Sequence, residues 1–291
     1  MEDFYFNSLD QSFDYSDITS NSENNITFNY NDVNFILYVV TYIIIAVGLP
    51  LTLVAICALY SMVRSDHVAP IYLINLLIAD LIQLCCMIGY ATQSLDEKIT
   101  EIFICIYFSA LFTSVGFMVC IALERYLVIA HPLWYRCRRT VKTSVVVCVV
   151  VWVVPIVYAV LFYFYYNEEV VATIPPALLL LPFPLLIFFL VGTLKALSAS
   201  TSVSPDEKRR IVGILVLVLL IYTLLFLPSI IVYLDVNRDG TNLILSLTIV
   251  RFSPLADLVL YVFMRKGFID KLLASVCCCR MDSNDISSPS V

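Results

Sequence analysis

Charge is the first thing this chain is short of. Only 14% of its 291 residues are charged, 61% are hydrophobic, and the mean hydropathy is +0.92. A soluble domain carries about 25% charged and about 45–50% apolar residues. Such an excess cannot be hidden inside one globule, so the bulk solvent is lipid and a soluble protein is excluded. Glycine is scarce as well, at 7 residues. A transporter whose spans are broken by glycine and proline therefore fits poorly. The chain has 2 histidines, His67 and His131, and no Ser/His/Asp or metal-ligand constellation, so no enzyme is expected. The first 34 residues lack Lys and Arg and lack an apolar core, so a cleavable signal peptide is not expected.

What is present is a set of long apolar runs. Seven lie at roughly 35–60, 69–93, 102–130, 143–165, 173–197, 211–235 and 242–264. A bilayer core about 30 Å thick needs about 20 such residues, and a backbone in lipid must satisfy its own hydrogen bonds. The expected fold is therefore an all-α integral membrane bundle of seven transmembrane helices. The domain plan follows: an acidic tail at 1–34, the bundle at 35–265, and a second tail at 266–291. No internal repeat is visible between the halves.

Of the 17 Lys and Arg residues, only Lys98 and Arg238 fall on one side of the membrane, and Arg251 lies inside a span. All the others share the opposite side. The positive-inside rule then places the N-terminus outside the cell and the C-terminus in the cytosol. Both histidines fall on the cytosolic side, so neither would titrate with extracellular pH.

Inside the third span, residues 119–136 read VCIALERYLVIAHPLWYR. Two adjacent charges, Glu124 and Arg125, fall where lipid gives way to a basic loop. Taken alone they fit an interfacial anchor as well as a functional pair. The motif ERY followed by IAHPLWYR resembles the Asp/Glu-Arg-Tyr motif of rhodopsin-like (class A) G-protein-coupled receptors. Other spans carry matching residues in order: Asp80 in NLLIAD, Trp152, Pro182 or Pro184, Pro228 in LFLPS, and then Tyr261, Phe263 and Phe268. The resemblance covers about 35–280. Within the family, GLPLT, HPLWYR and an Asp in the seventh span look most like the branch of nucleotide, proton-sensing and protease-activated receptors.

The resemblance implies a cell-surface receptor in the plasma membrane that turns binding of an extracellular ligand into activation of a heterotrimeric G protein. Glu124, Arg125, Tyr126, Pro132, Leu133, Phe226, Pro228 and Tyr261 would form the coupling switch. A short amphipathic eighth helix would follow the bundle. Asp80, Ser114 and Asp257 would converge on a Na⁺ or proton pocket. The alternatives are a heptahelical decoy that binds without signalling and a small-solute transporter. Arrestin and membrane lipids are further expected partners; nucleic acid is not.

Two features bear on the ligand and point in different directions. Arg251 lies about two helical turns outward of Asp257, inside an apolar run. Gln83 or Tyr107 would satisfy part of its guanidinium, Glu101 would neutralise it, and so would an anionic ligand. Tyr107, Arg251, Gln83 and Phe226 are the expected ligand contacts. The N-terminal tail instead carries Glu2, Asp3, Asp10, Asp14, Asp17, Glu23 and Asp32 with no basic residue. A solvated tail and a steering surface for a basic peptide both fit it. Asn25-Ile26-Thr27 is a glycosylation sequon. Cys277, Cys278 and Cys279, behind Lys266 and Lys271, are the expected palmitoylation site. Ser283, Ser287, Ser288 and Ser290 are candidate phosphosites for arrestin.

Departures from the family pattern are as specific as the matches. The position of the third-span disulfide cysteine holds Thr100, and none of the 10 cysteines lies in an extracellular segment, so no disulfide is expected there. Thr52 replaces the first-span Asn, and Leu225-Phe226 replaces Cys-Trp. The seventh-span motif becomes Asp257-Leu258-Val259-Leu260-Tyr261 with its proline moved back to Pro254, so the bend should shift outward. Gly192 stands where active receptors carry a tyrosine that meets the motif arginine, and Lys208 stands at the sixth-span lock position.

Overall fold

A computed structural model describes residues 30–64, 71–91, 97–131, 141–164, 178–199, 205–234 and 240–264. Its longer helices are α1 (Tyr30–Arg64), α2 (Ile71–Ala91), α3 (Glu97–Ala130), α4 (Val141–Phe164), α5 (Pro182–Ala199), α6 (Pro205–Leu234), α7 (Gly240–Val250) and α8 (Ser253–Met264). Seven spans of 19 to 33 residues are long and apolar enough to cross a bilayer. They match the seven runs read from the sequence, the last one being built from α7 and α8 together. Asn25, Pro132, Leu133, Cys277, Cys278 and Cys279 lie outside the described residues, as does the expected amphipathic helix beyond 265.

α3 is the axis of the bundle, touching α2, α4, α5 and α6; α8 closes the ring against α1, α2 and α6. Lipid tails are as apolar as leucine, so apolar burial does not drive this assembly, and close packing and buried polar contacts do. The outer surface shows it. Among the described residues of α4 only Cys148 and Pro155 are buried, while Val146 and Val154 are 61% and 58% exposed. Polar residues turn inward instead: Thr41, Thr52, Asp80, Gln83, Thr113, Ser114, Thr193, Ser229, Ser246, Ser253 and Asp257 are all buried. Several hydroxyls are satisfied within their own helix by donating to the carbonyl four residues back, as Thr113 does to Ser109 and Thr193 to Phe189.

Prolines set the local breaks. A turn at Leu181 precedes Pro182, which opens α5 at a position where its missing N–H costs nothing. Beside this break the Tyr222 hydroxyl of α6 donates to the Leu179 carbonyl. In the seventh span, Pro254 has no N–H to offer the carbonyl four residues back. The ladder tightens there: Phe252 N donates to Ile249 O at 3.1 Å, and Leu255 N to Phe252 O at 3.0 Å. The chain turns at Arg251 and Phe252 and restarts at Ser253. The bend expected from Pro254 is a break between two helices, lying just outward of the proline itself.

Candidate functional site

Three helices bring a polar cluster to the middle of the bundle. Asp80 and Gln83 come from α2, Ser114 from α3 and Asp257 from α8, and all four are fully buried. Ser114 Oγ donates to Asp257 Oδ2 at 2.9 Å, and Gln83 Nε2 donates to Asp80 Oδ1 at 3.2 Å. The Asp80 and Asp257 carboxyl groups are neighbours in this cluster. Among the described residues, no other donor reaches Asp80 Oδ2 or Asp257 Oδ1. Two adjacent carboxylates in low dielectric cannot both stay ionised without a cation, so they share a proton or hold one. The donor set is all oxygen, which fits a hard cation such as Na⁺. The three residues read from the sequence as converging do converge.

Outward of this cluster, Arg251 occupies the break between α7 and α8. Its Nη1 donates to Thr41 Oγ1 at 2.9 Å, and that hydroxyl donates in turn to Leu37 O at 2.8 Å. The sequence reading is corrected here. Gln83 turns its amide N–H to Asp80, and among the described residues neither Gln83 Oε1 nor the buried Tyr107 hydroxyl has a hydrogen-bond partner, so neither receives the guanidinium. Tyr107 remains in electrostatic reach of Arg251. Thr41, one partner of Arg251, sits in a span whose apolar residues run all round it, and the sequence carried no signal for it.

Phe226 is fully buried and stacks on Tyr222 with ring centroids 4.9 Å apart; Tyr222 meets Phe183 of α5 edge-on at 5.6 Å. Phe226 therefore belongs to an aromatic joint between α5 and α6, two residues before Pro228. Thr52 is fully buried, and its hydroxyl has no partner among the described residues. Trp152 Nε1 donates to Asn75 Oδ1 at 3.0 Å, tying α4 to α2, a role for Asn75 that the sequence reading missed.

At the far end of α3, Glu124, Arg125 and Tyr126 are half-buried. The Tyr126 ring lies against Phe188 and Phe189 of α5 at 5.8 and 5.7 Å. It fills the space that Gly192 leaves: a Cβ there would stand 2.6 Å from Tyr126 Cε2. Tyr261, on α8, is buried in the same core. The basic residues of α6 are partly committed. Lys208 Nζ donates to Leu197 O near the end of α5 at 3.1 Å, and Arg210 Nη2 donates to Met264 O at the end of α8 at 2.7 Å. Both satisfy terminal carbonyls that a helix cannot satisfy itself. Among Lys208, Arg209 and Arg210, only Arg209 is exposed.

A seven-span bundle with a buried carboxylate pair at its centre and a Glu-Arg-Tyr triplet ending its axial helix defines a class. The rhodopsin family of 7 transmembrane receptors matches residues 51–250, and the chain belongs to it. The family is one of signalling receptors, not enzymes. Among its relatives, bovine (Bos taurus) G-protein coupled receptor 68 is 30% identical over 122 residues, 40% of this chain and 34% of that protein. Human (Homo sapiens) Mas-related G-protein coupled receptor MRG is 35% identical over 92 residues, 29% of this chain and 24% of that protein. The rabbit (Oryctolagus cuniculus) type-1 angiotensin II receptor is 32% identical over 117 residues, 38% of this chain and 33% of that protein. The chain thus spans about a third or less of the length of these curated relatives.

Proposed function

We propose that this protein is a multi-pass receptor of the plasma membrane, N-terminus outside, that passes ligand binding on one face to a heterotrimeric G protein on the other. The observation that carries the reading is the axial helix itself. α3 contributes Tyr107 near Arg251, Ser114 to the carboxylate cluster and Arg125 to the basic end, so one rigid element touches all three sites. The uneven distribution of basic residues supports the orientation.

In this mechanism the ligand shifts a population. It favours a conformer in which α6 swings about Pro228, and it does so only by its difference in affinity for the two states. Arg251 and Tyr107 would receive an anionic group of the ligand, since Arg offers a planar fork to carboxylate or phosphate. A basic peptide steered by the acidic tail is the competing ligand class. Asp80, Ser114 and Asp257 would hold Na⁺ in the resting state and take up a proton on activation. Glu124 and Arg125 would separate, and Arg209 with the segment holding Pro132 and Leu133 would meet the G protein. Palmitate at Cys277–Cys279, a glycan at Asn25 and arrestin at the terminal serines complete the proposal.

A receptor that binds without signalling is the second reading, and Gly192 favours it. The tyrosine that would stabilise an active arrangement is absent, and Tyr126 occupies its space. Nucleotide exchange on a heterotrimer reconstituted with the full chain decides between them. Exchange above the heterotrimer alone, abolished by Arg125→Ala, supports the receptor; no exchange with any heterotrimer class supports the decoy.

A further inference from the structure

Beside the Tyr126 ring, α3 and α5 border an open hollow of about 530 Å³. Its wall consists of Tyr126, Ala130, Phe188, Val191, Gly192 and Ala196, and its mouth holds His131 and Lys195. Neither the carboxylate cluster nor the Arg251 site uses it. The volume falls in the range of small-molecule sites, about 300–1,000 Å³. The wall is open to the bundle exterior: Phe188 is 59% and Val191 44% exposed. Gly192 lets the Tyr126 ring approach α5 closely, since a Cβ there would stand 2.6 Å from Tyr126 Cε2, and the hollow lies beside that contact.

Chemistry separates the two ends of this cavity. The mouth presents an ammonium and an imidazole, both exposed, and among the described residues its lining contains no carboxylate. From Lys195 the apolar track runs back to Phe188, seven residues or roughly 10 Å along α5. That is about a third of a hydrocarbon core some 30 Å thick. A cationic mouth above an apolar track within the span is complementary to an amphiphile with an anionic head. On the orientation proposed above, the mouth faces the cytoplasmic leaflet, where anionic phospholipids concentrate and basic pockets between helices hold their head groups.

We infer that this cavity binds an anionic phospholipid of the inner leaflet, its phosphate on Lys195 and His131 and one acyl chain along Ala196, Val191 and Phe188. The lipid packs against Tyr126, next to Arg125, and so its binding is felt at the coupling end of α3. A free phosphate would use only the mouth; the length of the apolar track favours the lipid.

The inference rests on the orientation for its leaflet but not for its chemistry. The test is the full chain in nanodiscs of equal parts phosphatidylcholine and phosphatidylserine, which offer both lipids on both faces and need no G protein. Retained lipid is counted by native mass spectrometry after detergent release. Wild type should retain phosphatidylserine over phosphatidylcholine. Lys195→Gln should lower that preference about fivefold, as loss of one charge near the surface implies, and Lys195→Arg should keep it. Ala196→Trp, which fills the track and leaves Lys195 and His131 in place, should remove the retained lipid; Val191→Trp on the open rim gives the same readout should that variant not fold. Unchanged retention in Lys195→Gln overturns the inference. Displacement of the lipid by soluble glycerophosphoserine overturns it too, by making the mouth alone a phosphate site. A cell-surface tag on the N-terminus reports orientation separately, so a wrong leaflet is not mistaken for a wrong site.

Discussion

Replacing Gly192 by alanine gives a prediction whose sign depends on one neighbour. Alanine in a helix interior normally stabilises relative to glycine by about 0.5–1 kcal/mol. Here the new Cβ would stand 2.6 Å from Tyr126 Cε2 and 3.2 Å from Cδ2. Phe188, Phe189 and His131 flank the ring at 5.8, 5.7 and 6.2 Å between centroids, and a retreat into the hollow beside it would give up these contacts. Overpacking of this kind costs about 1–3 kcal/mol. The clash therefore outweighs the propensity gain, and Gly192→Ala should destabilise by about 1 kcal/mol or somewhat more. In the Tyr126→Ala background the clash is gone, so the same substitution should stabilise by about 0.5–1 kcal/mol. The assay is thermal unfolding in detergent followed with a thiol-reactive dye, which reads the buried Cys86 and Cys148 as they are exposed. For a chain of this size the shift is roughly 2–4 °C per kcal/mol. If Gly192→Ala raised the midpoint of the otherwise wild-type chain by as much as it does in the Tyr126→Ala background, the packing argument would be refuted. The same clash makes Gly192→Tyr a poor test of the missing active-state tyrosine, because it displaces Tyr126 first.

The other predictions concern the three polar sites. Replacing choline chloride by NaCl at a tenfold excess over the Na⁺ Kd should stabilise wild type by about 1.4 kcal/mol, and Asp257→Asn should abolish the shift; an undiminished shift in the variant places the ion elsewhere. Arg251→Ala should weaken an acidic ligand at least tenfold in a binding titration and leave a basic peptide nearly unaffected, and the reverse outcome would assign the ligand to the acidic tail. Arg210→Gln should destabilise by about 1.5 kcal/mol, the low end for a hydrogen bond from a charged group, and lower the melting midpoint accordingly, whereas Arg209→Gln should leave it unchanged. Equal effects of the two would show that the contact to Met264 carries no stability.

How much of this was legible depended on what kind of force places each residue. The seven spans follow from length and hydropathy because a bilayer imposes both. Asp80, Ser114 and Asp257 were also readable, since charge is too costly in lipid to face outward and the family pattern supplied the partners. The Arg251–Thr41 contact was not. It depends on the rotation of α1 about its own axis, and a helix apolar on every side gives no sign of which face looks inward. The same holds for Asn75 and Tyr222, whose partners lie on other helices. Lys208 and Arg210 read as surface charge because the sequence does not show that the ends of α5 and α8 lie beside them. Gly192 read as a missing hydroxyl; its role as the floor under Tyr126 appears only when α3 and α5 are packed together.

The interruption at Phe252 makes the seventh span two levers joined by a short elbow. Its outer arm carries the turn at Arg251, and its inner arm carries Asp257 and Tyr261. A tug on the guanidinium can swing the elbow without lifting the inner arm rigidly with it, so the carboxylate cluster need not open in step with the outer arm. Unbroken, the span would move as one rod, and the two sites would have no slack between them.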